Sequence, residues 1–169
     1  VHAIHNFCVV EMSNFYLNVL KNRLYCDSKT GLSRRSGQTA IYIILDSMVR
    51  LLAPILSFTA NEIWLAMPHH ASANTEHIML NDMPSVHPGW VLDAETEAFW
   101  EKTLRLRDDV NKALELARAA KTVGKPLEAK ITLYVSDTAA EGFRQIADQD
   151  LAALFIVSEV EIVYGTGEG

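Results

Sequence analysis

Apolar residues recur at helical spacing through the first half of the chain. Ile4, Cys8, Met12, Phe15 and Val19 mark one face, and Val9, Tyr16, Leu20 and Leu24 widen it, which predicts a helix from about His2 to Tyr25. A stripe this wide implies burial among several helices rather than along one seam. Residues 26–33 read as a loop punctuated by Gly31. Ser33 stands where it would cap a second helix starting at Arg34, with Ile41, Ile44, Leu45, Met48, Leu51 and Leu52 facing inward. Pro54 ends that helix, because proline has no amide hydrogen and clashes with the preceding turn. Thr59 and Glu62 have the spacing of a capping box that opens a third helix, with Ile63, Trp64 and Met67 inward. Residues 68–92 hold Pro68, Pro84, Pro88 and Gly89 and predict a long irregular connection, expected to pack along the helices because unsupported loops of that length are uncommon. Asp93 then caps a fourth helix running to about Lys121, with Phe99, Leu106, Val110, Ala113, Leu114 and Ala117 as its stripe.

The period changes after Gly124 and Pro126. Ile131, Leu133 and Val135 alternate with Thr132 and Tyr134, a strand pattern. A helix over about 138–154 and a last strand over about 158–164 complete the chain. The expected fold is mainly α: an antiparallel helical bundle over 2–121 with a small C-terminal α/β appendage whose two strands share a sheet. The expected divisions are 1–92 for the bundle, 93–124 for a long helix that completes the bundle and leads out of it, and 125–169 for the α/β subdomain. Phe15, Leu45, Leu52, Trp64 and Val110 are expected in the core.

Composition narrows the class. The 169 residues are 49% hydrophobic and 21% charged, which fits a folded globular chain and excludes disorder. The apolar runs are too short to span a bilayer, so no membrane association is expected. No basic and apolar leader is present, and Cys8 and Cys26 occur without any Asn-x-Ser/Thr sequon, so a cytoplasmic location is expected. The net charge of -6 is uneven: residues 1–90 hold six Lys/Arg and six Asp/Glu, and residues 91–169 hold nine and fifteen.

Catalytic signatures are missing. His2 and His5 form a His-x-x-His without the glycine or the preceding strand of a nucleotide loop. His69, His70, His77 and His87 lie in the proline-rich connection, away from both cysteines and without zinc-ligand spacing. The Gly-rich tail at 165–169 has no helix after it to hold a phosphate. Trp64 and Trp100 sit on helix stripes and read as core. No catalytic residue, metal or cofactor is expected within the chain.

The basic cluster carries the functional signal. Lys21, Arg23 and Tyr25 end the first helix, Lys29 lies in the loop, and Arg34, Arg35 and Gln38 open the second helix, with Asp27 the only carboxylate among them. An antiparallel pair of helices would gather these ends into one patch. Cations for phosphates, a ring or guanidinium plane for stacking and an amide for base edges are what single-stranded RNA loops are read with. Two arginines at a helix N-terminus also oppose the macrodipole, which an external anion would offset. Internal ion pairs, with Glu11 or Glu62 as partners, are the competing explanation, and Arg23 is the residue most open to it.

At these residues a family becomes recognisable. Phe15-Tyr16-Leu17-Asn18-Val19-Leu20-Lys21-Asn22-Arg23-Leu24-Tyr25 resembles the Phe-Tyr-Leu-Asp-x-x-Lys-Asp-Arg-Leu-Tyr signature of the isoleucyl-tRNA synthetases, class I aminoacyl-tRNA synthetases, and Arg34-Arg35-Ser36-Gly37-Gln38-Thr39 resembles their Arg-Arg-Ser-x-Gln-Thr. Ala53-Pro54-Ile55-Leu56 through Ile63-Trp64 is similar to a segment shared by the synthetases for branched aliphatic amino acids, and Arg107 to Ala129 resembles the segment after the bundle. Asn18 and Asn22 depart from the usual Asp, leaving Lys21 and Arg23 less neutralised. The resemblance implies the anticodon-binding domain and the start of the C-terminal region of an isoleucine–tRNA ligase, a fragment whose Val1 opens mid-helix without an initiating Met. Binding of the isoleucine-acceptor tRNA is expected through the basic cluster, at Lys21, Arg23, Tyr25, Lys29, Arg34, Arg35 and Gln38, most of which coincide with these motifs. The full-length parent would join isoleucine to its tRNA using ATP, and its catalytic and editing domains would be the other partners. The alternatives are a purely structural helical module bracing neighbouring domains, and the same domain of a valyl-type synthetase.

Overall fold

The computed structural model describes residues 2–136, 140–147 and 149–165. The first residues of the expected helix over 138–154 and most of the Gly-rich tail lie outside the described residues. The chain divides into two compact units, Val1–Trp90 and Val91–Gly169. This boundary coincides with the charge boundary: the first unit is neutral and the second holds the whole net charge of -6.

The first unit opens with a helical run in four pieces: α1 (His2–Asn6), a π-wound segment Phe7–Tyr16, α2 (Leu17–Val19) and α3 (Lys21–Tyr25). The expected helix is present, but its middle is wound more widely than an α-helix. The sequence holds the cause. Ile4, Cys8, Met12, Tyr16, Leu20 and Leu24 repeat every fourth residue. A four-residue step overshoots the α turn by about 40°, whereas the wider π turn undershoots it. Mixing the two windings keeps these side chains in line: Leu20 is buried and the other five are half-buried, while Val9, expected on this face, is exposed. Where the π winding ends, Asn18 Nδ2 donates to the Ser13 carbonyl at 3.0 Å. The amide can donate that bond, whereas an aspartate at this position, which only accepts, could not.

After a short loop, α4 (Leu32–Leu52) begins two residues before the expected start. Its N-cap is Gly31, whose side chain can offer nothing, so Ser33 is not the cap. The chain doubles back here. A Cβ at Gly37 would meet Leu20 Cδ2 at 3.5 Å and Leu24 Cδ2 at 3.9 Å, so α4 approaches the end of the first helical run at this glycine. Both distances are ordinary contact, so Gly37→Ala should raise stability by up to about 1 kcal/mol through helix propensity. Gly37→Leu should lower it, because there is no room beyond the first carbon. Urea denaturation of the two variants checks both signs.

The helix α5 (Ser57–Ala66) follows Pro54. Thr59 lies inside it and forms no capping box; the N-cap is Leu56, and Ser57 Oγ donates back to the Ala53 carbonyl at 2.9 Å. The core cluster is Val49, Ala53, Ala60, Trp64, Met67 and Ile78, with Tyr42, Leu45 and Ala73 packed against it. The buried face of α4 is therefore turned by about one residue from expectation. Trp64 is buried as expected, Leu45, Leu52 and Phe15 are half-buried, and Leu51 is exposed.

The connection is tied to this core by polar contacts. Trp64 Nε1 donates to the Asn74 carbonyl at 2.9 Å, and Asn61 Oδ1 accepts from the Ile78 amide at 3.0 Å. Asn81 Nδ2 donates to the carbonyls of Asn74 and His77, each at 3.0 Å. Arg50 pairs with Asp46 at 2.9 Å, donates to the Asp82 carbonyl at 2.9 Å, and stands 4.9 Å over the Trp64 ring. His69 is half-buried, its ring 4.3 Å from that of Trp64.

The second unit contains α6 (Ala94–Ala119), β1 (Lys130–Val135), α7 (Ala140–Ala147), α8 (Leu151–Phe155) and β2 (Glu159–Tyr164). The strands pair in parallel, Lys130 opposite Glu159 and Val135 opposite Tyr164, so the expected shared sheet is present. A parallel pair needs a crossover, which the helices between the strands provide. Val110 and Leu114 of α6 are buried, as are Val135, Ile146, Leu151, Leu154, Phe155 and Val157. Arg107 Nε donates to the Leu154 carbonyl at 3.2 Å. Lys130 Nζ reaches Glu159 at 3.0 Å and Glu161 at 3.1 Å, and its hydrogen bonds to them push the lysine pKa up.

Asp93 caps α6 as expected, its Oδ1 accepting from the Thr96 amide at 2.7 Å. That backbone bond, helped by the Thr96 hydroxyl, holds the carboxyl below its ordinary value of 3.8. A depressed folded-state pKa means that the cap's contribution is present above the unfolded value and is lost as pH falls through the folded one. The Thr96 amide resonance should therefore titrate below pH 3.8. In Asp93→Ala it should not.

Candidate nucleic-acid interface

The basic cluster sits on a helix–loop–helix. Lys21, Arg23 and Tyr25 belong to α3, Lys29 to the loop, and Arg34, Arg35 and Gln38 to the first turns of α4. Packing of Leu20 and Leu24 about Gly37 holds the two helices together beneath them. The loop is closed by the Gly31 amide, which donates to the Ser28 carbonyl at 2.9 Å, and by Arg34 Nη1, which donates to the Asp27 carbonyl at 3.3 Å.

Six of the seven expected contact residues, Lys21, Arg23, Tyr25, Lys29, Arg35 and Gln38, are exposed, and Arg34 is half-buried. The structure thus gives Arg34 a loop-bracing role beside its charge. Tyr25 leaves 80% of its surface in solvent, an unusual position for a ring that nothing local covers. Among the described residues none of the five cations forms an ion pair, and neither Glu11 nor Glu62 pairs with them. The internal-pair explanation for Arg23 therefore has no partner among those residues. Arg50, the sixth cation of this unit, differs because Asp46 neutralises it. An uncompensated cationic surface at the positive end of a helix macrodipole is suited to a polyanion.

The other sequence candidates are not drawn into a site. Among the described residues no three His, Cys, Asp or Glu side chains are grouped to hold a metal ion. His70 Nδ1 is paired with the Ser72 hydroxyl at 2.9 Å, and His87 stacks on Trp90 at 4.4 Å. No described helix is long and apolar enough to cross a membrane.

Comparison with known proteins gives a consistent result. Residues 1–133 match the family described as the anticodon-binding domain of tRNA ligase. The chain is 46% identical over 168 residues to an isoleucine–tRNA ligase of Syntrophotalea carbinolica, covering 99% of this chain and 18% of that protein. It is 44% identical over 160 residues to one of Thermoanaerobacter sp. and 45% identical over 161 to one of Natranaerobius thermophilus, each covering 95% of this chain and 17% of the relative. The chain thus spans less than a fifth of the length of these relatives. With the helical signature, the exposed cations and the match all falling on the same residues, the chain belongs to the family of anticodon-binding domains of tRNA ligases.

Proposed function

We propose that this chain is the tRNA-gripping part of an isoleucine–tRNA ligase, binding the anticodon stem-loop of the isoleucine-acceptor tRNA through Lys21, Arg23, Tyr25, Lys29, Arg34, Arg35 and Gln38. The observation that carries this is the row of five cations without ion-pair partners among the described residues, mounted on a packed helix hairpin. Lysine and arginine would neutralise backbone phosphates, while Tyr25 and Gln38 would meet unstacked bases. The names of the relatives favour isoleucine over valine as the amino acid of the parent enzyme. Attachment of isoleucine with ATP, and any editing, would belong to other parts of that enzyme, working in the cytoplasm; this chain would need no metal or cofactor of its own.

A bracing role is supported by a separate observation. Leu51, Ile55, Leu56 and Phe58 are exposed around the α4–α5 junction, Phe58 at 94%. Exposed apolar groups of this kind mark protein contacts, and the parent's catalytic and editing domains are the proposed occupants. The test of the main proposal is titration of isoleucine tRNA at several salt concentrations. Binding should weaken steeply with salt, by about 0.7–0.9 in log–log slope per phosphate neutralised. Salt-independent binding, or none at low salt, contradicts it.

A further inference from the structure

We propose that the turn closing α6 is a second RNA-phosphate contact, built by Lys121 and Lys125; this rests on the tRNA-binding function proposed above. The charge pattern is the first observation. The second unit carries a net charge of -6, yet residues 118–130 hold Arg118, Lys121, Lys125 and Lys130 against Glu128 alone.

Neighbouring carboxylates are already engaged. Glu115 pairs with Arg118 at 2.8 Å, and Glu159 and Glu161 pair with Lys130 at 3.0 and 3.1 Å. Glu128 Oε2 accepts from the backbone amide of Lys125 at 3.0 Å. Among the described residues, Lys121 and Lys125 have no ion-pair partner.

The backbone gives the second argument. α6 ends in a Schellman turn, with the Thr122 amide on the Ala117 carbonyl at 2.9 Å and the Lys121 amide on the Arg118 carbonyl at 3.0 Å. Lys121 occupies the left-handed position of that turn at φ 58°, where glycine is the usual residue. A cation meant only to complement the helix dipole needs no such position, and Arg118 in the last turn already serves. The turn is also firmly shaped. A Cβ at Gly124 would fall 2.8 Å from Glu128 Oε2, so a larger residue there would push that carboxylate away from the Lys125 amide it accepts from.

The third observation is space. An open cleft of about 490 Å³ is lined by Glu115, Arg118, Ala119, Lys121, Val123 and Gly124, with Glu115 already paired with Arg118. It has room for a phosphodiester group, which a lysine ammonium binds as a point charge.

The test compares tRNA binding by the whole chain and by Lys121→Gly/Lys125→Gln across a salt series. Glycine keeps the left-handed backbone, so the melting temperature should be unchanged or higher while binding weakens several-fold. The salt slope should fall by about 0.7–0.9 for each phosphate no longer neutralised. Lys121→Arg/Lys125→Arg should keep the wild-type slope. Wild-type affinity and slope in the Gly/Gln variant, with Arg34→Glu/Arg35→Glu impaired in the same assay, would overturn this site and leave the first intact. Loss of binding in the Arg/Arg variant equal to that in the Gly/Gln variant would also overturn it, since charge would then not be the cause. Absence of salt-sensitive binding in the wild-type chain would overturn both.

Discussion

Trp64→Ala is expected to destabilise the first unit by about 3–5 kcal/mol, the range for removing a buried aromatic side chain. Trp64 is 1% exposed and sits among Val49, Ala53, Ala60, Met67 and Ile78. Deleting it leaves a cavity that these neighbours can only partly fill. It also frees the Asn74 carbonyl from its indole partner and takes away the ring beneath Arg50 and beside His69. The connection after α5 would lose one of its anchors to the helices. A domain of this size holds about 5–15 kcal/mol in all, so the variant should unfold at much lower urea concentration. Trp64→Phe keeps most of the apolar contact and loses the hydrogen bond, so it should cost clearly less. A loss below about 1 kcal/mol for Trp64→Ala would show that this ring is not the centre of the core.

Arg34→Glu/Arg35→Glu should have the largest effect on function. The pair sits in the first turns of α4, where the helix dipole already favours an anion. Reversal replaces two attractive charges by two repulsive ones beside Lys21, Arg23 and Lys29. Affinity for tRNA should fall at least about tenfold, or 1.4 kcal/mol, and the salt slope should drop by roughly 0.7–0.9 for each phosphate left without its cation. The fold should survive, because neither arginine forms an ion pair among the described residues; Arg34 gives up one bond to the Asp27 carbonyl at 3.3 Å. Arg35→Glu alone, at an exposed position, separates the two roles: it should lose affinity with stability unchanged.

Much of this architecture is legible in the pattern of apolar positions. The helices, the strand–helix–strand ending and the Asp93 cap follow from local periodicity and side-chain chemistry. The features that are not legible there are nonlocal or backbone-driven. A repeat of four fits an α stripe drawn with a little slack, so the π winding over Phe7–Tyr16 has no separate signal. The starts of α4 and α5 differ from expectation because Gly31 and Leu56 supply no capping side chain, whereas Ser33 and Thr59 look as though they should. The face of α4 turns toward Val49 because its partner surface includes Ile78 from the long connection, a contact that helical periodicity cannot forecast. The basic cluster is visible by counting charges. Its freedom from Glu11 and Glu62, the half-buried setting of Arg34 and the binding of Arg50 by Asp46 require coordinates. Lys121 is legible only as a helix end; its left-handed backbone is not.

The central claim is that residues 21–38 of the first unit grip RNA. Its most direct test follows the amide resonances of the chain by NMR as an RNA hairpin with the sequence of the isoleucine anticodon stem-loop is added. The largest shifts are predicted at Lys21, Arg23, Tyr25, Lys29, Arg34, Arg35 and Gln38, shrinking together as salt is raised. Shifts confined to other segments, or no shifts at low salt, would contradict it.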